Sequence, residues 1–269
     1  MNMRPILSLL LLAALAGCSG QDAAPQDSQT APATEAPATD AAQPAAEGDA
    51  GAAPAAPEQA AGGDAAPAAP APSAPGGPAP VAGVDYTVIE NGQAFQPMAG
   101  KIEVAEVFGY TCPHCAAFDP ILEAWIKRQP GDVNVILVPG AFGGYWTPYA
   151  RAYYSAEALG VLPQTHAAMF RAIHVERSLP VNANVGAKEL APFYAKYGVD
   201  PKRFADTFGS FGVDAKVNRA RQFAARAKIE GTPSLVVAGK YTISVDQRGF
   251  EQMLATAEWL IAQERAGAR

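Results

Sequence analysis

Two cysteines stand three positions apart in the stretch Gly109-Tyr110-Thr111-Cys112-Pro113-His114-Cys115-Ala116-Ala117-Phe118-Asp119-Pro120, and the 269-residue chain has only three cysteines in all. A C-x-x-C pair can close into a disulfide and reopen, provided that one sulfur is available as a thiolate, the species that attacks in thiol–disulfide exchange. The flanking chain supplies the conditions. Ile102 to Phe108 is an apolar run whose branched and aromatic residues suit a buried strand. Phe118, Ile121, Leu122, Trp125 and Ile126 fall at i, i+3, i+4, i+7 and i+8, one apolar face of a helix running from about Pro113 to Lys127. Pro113 suits the first turn of that helix, and Pro120 is expected to kink it. The cysteines therefore lie where a strand hands over to a helix, and there unpaired N–H groups and the helix dipole favour negative charge. Cys112, at the helix start, should be the exposed thiolate; Cys115, one turn further in, should face the core beside Phe118. Pro113 stiffens the turn, and His114 brings a donor and a titratable positive charge near the Cys112 sulfur.

The alternation of the strand gives a third titratable candidate. Ile102, Val104, Glu106 and Phe108 share one face, which points Glu106 with the larger apolar residues, six positions before Cys112. A lone buried carboxyl group has a raised pKa and is suited to exchanging protons with a buried cysteine; the alternative is a strand-end glutamate reaching solvent. His166 and His174 lie eight apart in a helical pattern with no acidic or cysteine cluster nearby in sequence, so both read as structural or exposed. The aromatic stretch Phe142-Gly143-Gly144-Tyr145-Trp146 either borders a substrate groove or plugs the space between two subdomains.

These residues need a frame. Tyr86 to Ile89 reads as a short first strand, with a turn at Asn91-Gly92. Val133 to Val138 should pair in parallel with Ile102–Phe108. From Thr147 to Ile229 only helical patterns follow: Pro148–Leu159, Gln164–His174, Ala187–Tyr197, Pro201–Phe208 and Val213–Ala227. Asp200-Pro201 and Asp214 look like starts, and Gly160 and Gly198 like stops. Strand character returns at Ser234–Val237 and Tyr241–Ile243, joined by Ala238-Gly239-Lys240 as a hairpin. The last helix runs from Gly249 to Arg265. The expected fold is α/β, with a helical block set between two halves of a sheet.

Strand, C-x-x-C, helix is the redox arrangement of thioredoxin-like proteins. The motif Cys112-Pro113-His114-Cys115, Phe118 and Pro120 after it, Gly231-Thr232-Pro233 before a strand, and the helical block together resemble the bacterial DsbA family of periplasmic thiol:disulfide oxidoreductases, from about Asp85 to the C-terminus. The resemblance implies a thioredoxin fold with an inserted all-helical subdomain at about 147–229. It implies that Cys112 is the nucleophile, Cys115 the buried resolving thiol and Pro233 a cis-proline packed against them. Thr232-Pro233 would meet substrate backbone, and Glu106 matches a buried acid of the family. The lysine that often accompanies that acid in the next strand has no counterpart, since Val133 to Val138 carries no charge. The implied activity is donation of a Cys112–Cys115 disulfide to reduced, folding exported proteins, with a DsbB-type membrane partner for reoxidation and no cofactor. A disulfide isomerase or reductase is the second reading. A metal module using the two cysteines and a histidine is the third, though structural zinc usually takes four ligands.

The address comes from the first residues. Arg4 followed by the apolar Ile6 to Leu15 has the form of an export signal over residues 1–17, too short for a spanning helix. Leu15-Ala16-Gly17-Cys18 resembles a bacterial lipobox, which implies lipidation of Cys18 and a membrane anchor; an ordinary secretion signal is the alternative. Either exports the chain, and the anchored form would face the periplasm. Residues 18–82, nearly all Ala, Pro, Gly and small polar residues, read as a disordered tether. Residues 83–269 suffice for one domain, expected to be monomeric. A net charge of −6 gives no sign of nucleic-acid binding.

Overall fold

The structure, a computed structural model, describes residues 78–267. The signal, the lipobox with Cys18 and nearly all of the tether lie outside those residues.

Twelve elements follow one another in the described residues. They are β1 (Thr87–Val88), β2 (Ile102–Phe108), α1 (Pro113–Ile126), β3 (Val133–Pro139), α2 (Trp146–Ala158), α3 (Leu162–His174), α4 (Ala187–Ala195), α5 (Pro201–Phe208), α6 (Phe211–Arg226), β4 (Ser234–Val237), β5 (Tyr241–Ser244) and α7 (Gly249–Gly267). The five strands form one sheet in the order β1-β5-β4-β2-β3. β2 and β3 pair in parallel from Ile102 opposite Val133 to Phe108 opposite Pro139, while β2–β4, β4–β5 and β1–β5 are antiparallel. Five helices thus separate the β2-α1-β3 half from the β4-β5-α7 half, a thioredoxin fold with an all-helical insertion.

β2 is buried on both faces, and its period of two assigns its side chains to two different cores. Val104 packs with Phe118, Leu122 and Trp125 of α1 and with Met253, Leu254 and Leu260 of α7. Ala105 and Val107 point the other way, into the larger cluster built by α2 through α6. Burying one such Leu or Phe side chain contributes about 1.5–3 kcal/mol, so strand and site-bearing helix are fixed mainly by these contacts. The inward stripe of α1 is narrower than its sequence pattern suggests. Cys115, Phe118, Leu122 and Trp125 are buried, whereas Ile121 and Ile126 stay 39% and 37% exposed.

The boundaries that differ from sequence do so for physical reasons. The first strand shrinks to two residues. α2 and α3 start two residues early, at Trp146 and Leu162, with N-caps Tyr145 and Val161 that make no side-chain cap. Asp214 is not the start of α6: Ser210 is the N-cap and accepts from the Val213 N–H. Asp214 instead pairs with Arg151, whose guanidinium also donates to the Phe208 carbonyl and so locks α2 to the α5–α6 corner. Asp200 does cap α5, accepting from Arg203 N. Gly160 and Gly198 close their helices at φ +73° and +80°, a region glycine enters without strain.

Candidate functional site

The site is assembled at the C-terminal end of β2. Gly109 follows the strand at a point where a Cβ would lie 2.0 Å from the Trp146 ring, so only glycine lets the chain turn beneath that side chain. Cys112 is then the N-cap of α1 with Pro113 at the first helical position. Its backbone is extended, and its Sγ accepts from the Cys115 N–H at 3.4 Å. A sulfur thus occupies the place where Ser or Asp would ordinarily satisfy a free helix donor.

The two cysteines are chemically opposite. Cys112 is lowered to about 5, first by the hydrogen bond from Cys115, then by one from the Thr232 side chain and by the N–H groups of Cys115 and His114; burial opposes these. Cys115 is pushed far upward by the same pairing with Cys112 and by its burial. The expected exposure of Cys112 is corrected: it is 8% exposed against 0% for Cys115, so the more accessible sulfur is itself nearly covered. His114 is exposed, and its backbone N–H is what acts on Cys112.

The insertion and the second half of the sheet bring the remaining parts. The Thr232–Pro233 peptide is cis, and the Thr232 carbonyl oxygen is 3.4 Å from Cys112 Sγ. Ser234 donates to the Gly231 carbonyl at 2.8 Å and holds the turn. Beside them opens a groove of about 440 Å³ lined by Cys112, Pro113, Phe142, Tyr145, Glu230 and Thr232, among others. Phe142 and Tyr145 are 45% and 42% exposed. Of the two readings of the aromatic stretch, these side chains fit the groove wall, as does Trp146, whose ring also covers Gly109.

Glu106 is buried, at 2% exposure, and does not reach solvent from the strand end. Its carboxyl group is raised well above the usual range by burial, then by the charges of Asp119 and Cys112. The histidines of the insertion take the structural one of the two alternatives read from sequence. His166 is neither exposed nor remote from acids: Nδ1 is 2.8 Å from the Tyr110 hydroxyl and Nε2 is 3.1 Å from Asp119 Oδ1. His174 Nε2 lies 2.7 Å from the Tyr110 carbonyl oxygen, to which its N–H donates. Asp119 was passed over in sequence, although a residue four after Cys115 shares its side of the helix. Among the described residues no group of three His, Cys, Asp or Glu side chains could hold a metal ion, and no described helix is long and apolar enough to cross a membrane.

A sequence family described as the DSBA-like thioredoxin domain matches residues 103–255. The thiol:disulfide interchange protein DsbA of Pseudomonas aeruginosa is 37% identical over 171 residues, covering 63% of this chain and 79% of that protein. The protein of the same description from Bordetella parapertussis is 41% identical over 168 residues, 62% of this chain and 78% of its own length. Among solved structures, oxidoreductase DsbA from Xylella fastidiosa superposes with a TM-score of 0.67 at 50% identity, over 70% of this chain and 98% of that one.

Proposed function

The chain belongs to the DSBA-like thioredoxin domain family and is a thiol:disulfide oxidoreductase, and from that premise we propose that it works as an oxidase, passing a Cys112–Cys115 disulfide to exported proteins as they fold. The observation that carries this direction is the place of Cys112 Sγ at the N-cap of α1, where it accepts the Cys115 N–H at 3.4 Å, a setting that lowers its thiol to about 5. A low thiol pKa makes a sulfur a good leaving group and stabilises the dithiol form, which makes the disulfide the stronger oxidant.

In the proposed sequence a substrate thiolate attacks Cys112 Sγ, the Cys112–Cys115 bond breaks, and Cys115 leaves and takes up a proton. A second substrate thiolate then attacks the substrate sulfur of the mixed disulfide and releases Cys112 as a thiolate. Two electrons pass from substrate to enzyme, and a DsbB-type membrane partner would remove them. The groove at Phe142 and Tyr145 would receive the substrate chain, with the Thr232 backbone along its edge. Cys18 would be lipidated and residues 18–82 would tether the domain on the periplasmic side of a membrane.

One experiment addresses both the direction and the anchor. Membranes from cells producing the wild-type chain should restore activity to a reduced, unfolded disulfide protein. In cells producing Cys18→Ala the same activity should move to the soluble fraction. Absence of oxidation in every fraction defeats the oxidase reading; wild-type activity found soluble defeats the anchor alone.

A further inference from the structure

The loop that brings Thr232 to the cysteines is anchored at both ends. α6 closes in a Schellman turn: the Ile229 N–H donates to the Ala224 carbonyl at 3.0 Å and the Lys228 N–H to that of Ala225 at 3.2 Å, with Lys228 at φ +53°. The Thr242 hydroxyl of β5 donates to the Ala227 carbonyl at 2.6 Å, and Ser234 holds Gly231 from the other side. Glu230 sits between these anchors and is exposed. It lines the groove beside Cys112, and no other Asp, Glu, Lys, Arg or His is among the lining residues. Among the described residues its carboxylate has neither an ion-pair nor a hydrogen-bond partner, whereas Glu123, Glu176, Glu157 and Glu264 are each held by a cation. The 142–146 segment of the groove is aromatic, with the Phe142 and Tyr145 rings 5.2 and 5.8 Å from that of Trp146.

We propose that Glu230 is a specificity-determining residue of the exchange, favouring substrate segments with Lys or Arg within two residues of the reacting cysteine and disfavouring Asp or Glu there. The inference rests on the exchange reading above and adds to it the chemical class of the substrate. In the first step the substrate thiolate bonds to Cys112 Sγ, the Cys112–Cys115 bond breaks, and its electron pair leaves on Cys115, which takes a proton from solvent. The nucleophile that enters the groove is thus an anion, and Glu230 places a fixed like charge beside its path. Apolar walls concentrate that field. A cation next to the substrate cysteine offsets it twice, by pairing with Glu230 and by favouring the thiolate on its own chain. An acid in the same place adds a second repulsion.

The spacing follows from the backbone. Thr232, whose carbonyl oxygen is 3.4 Å from Cys112 Sγ, lies two residues from Glu230. A substrate chain extended along this loop advances about 3.3 Å per residue, so the side chain two positions from its cysteine comes level with Glu230. Past Phe142 and Ile229 the surface continues into a second cavity of about 390 Å³, whose one charged lining residue is Arg221. The preference for a cation is therefore confined to the stretch next to the cysteine.

The test is the initial rate at which single-cysteine peptides form a mixed disulfide with the oxidised full chain, read by mass after acid quench. Two peptides differ only in carrying Lys or Glu at the positions two before and two after the cysteine. Each is run against wild type, Glu230→Gln and Glu230→Lys; two exposed replacements keep the comparison available if one fails to fold. Dividing the Lys-to-Glu rate ratio of wild type by that of a variant cancels the peptides' own difference in thiol reactivity and any general change at Cys112. With attraction and repulsion each within the range of an exposed ion pair, the quotient should be about tenfold for Glu230→Gln and larger for Glu230→Lys. It should shrink severalfold between about 0.05 M and 0.5 M salt as screening sets in. A quotient of one for both variants overturns the proposal, as does a preference that high salt leaves undiminished, since that would be steric. A wild-type chain that forms no adduct with either peptide overturns the exchange reading itself.

Discussion

Cys112 Sγ receives the Cys115 N–H at the start of a helix, while Cys115 is fully buried in the larger core cluster that also holds Phe108, Tyr110 and Val236. The same side chain is thus turned into a leaving group at one position and a proton-holding thiol at the other. With Cys115 at 0% exposure, only Cys112 can be attacked from outside. Cys112→Ser should therefore reduce exchange to background, a loss of several orders of magnitude. Cys115→Ser should still capture substrate but lack the internal thiol that resolves the adduct, so mixed disulfides should accumulate on a non-reducing gel. Adducts with Cys112→Ser and none with Cys115→Ser would reverse the assignment. Much of this was legible in sequence, because it depends on residues within one strand–turn–helix unit. What was not legible is how nearly covered Cys112 is, since its cover comes from Thr232 and the aromatic residues of the groove, far along the chain.

Helices and strands were found in sequence where their own residues specify them, and misjudged where a neighbour does. β2 was readable to the residue, because its branched and aromatic residues, interrupted only by Glu103 and Glu106, run between turn signals. α5 was equally plain, from Asp200-Pro201 at its start. The starts of α2 and α3 carry no side-chain cap, so nothing in the local sequence marks them. The pairing of Asp119 with His166 joins residues 47 positions apart through the packing of α3 on α1 and has no local signature at all. The joint between β2 and α1 depends on a different distant contact, Gly109 under Trp146. Gly109→Ala places a Cβ 2.0 Å and 2.5 Å from two Trp146 ring atoms, and overpacking of this kind costs about 1–3 kcal/mol or more. A lowered denaturation midpoint is expected, with a shift in tryptophan fluorescence as Trp146 is displaced. Trp146→Ala in the same chain should recover part of the loss relative to Gly109→Ala alone, a non-additivity that neighbours in contact show. An unchanged midpoint for Gly109→Ala would mean that the joint is looser than this contact implies.

For the folded domain taken whole, the site makes stability depend on redox state and on pH together. Cys112 titrates at about 5 when folded and at about 8.5 in an unfolded chain. A group whose folded pKa is depressed contributes stability that is fully present above the unfolded value and is lost as pH falls through the folded one. At about 1.4 kcal/mol per unit, the reduced form should gain roughly 3 kcal/mol from this source at pH 7, more by pH 8, and only a few tenths at pH 5. Cys115, raised by burial and by Cys112, stays protonated in both folded and unfolded chains until pH approaches 8.5 and so does not oppose the gain below that. The oxidised form has its own advantage, because the disulfide restricts the unfolded chain; for a loop this short the chain-entropy model puts that at about 2 kcal/mol. Which form is more stable should therefore reverse with pH. The disulfide form is expected to be the more stable at pH 5, the two to match between about pH 6 and 7, and the dithiol form to lead by roughly 2 kcal/mol at pH 8. Denaturant titrations of both forms at three pH values read this directly. A disulfide form that stays the more stable at pH 8 would show that the Cys112 thiolate is not stabilised in the fold, and the case for an oxidase would fall with it.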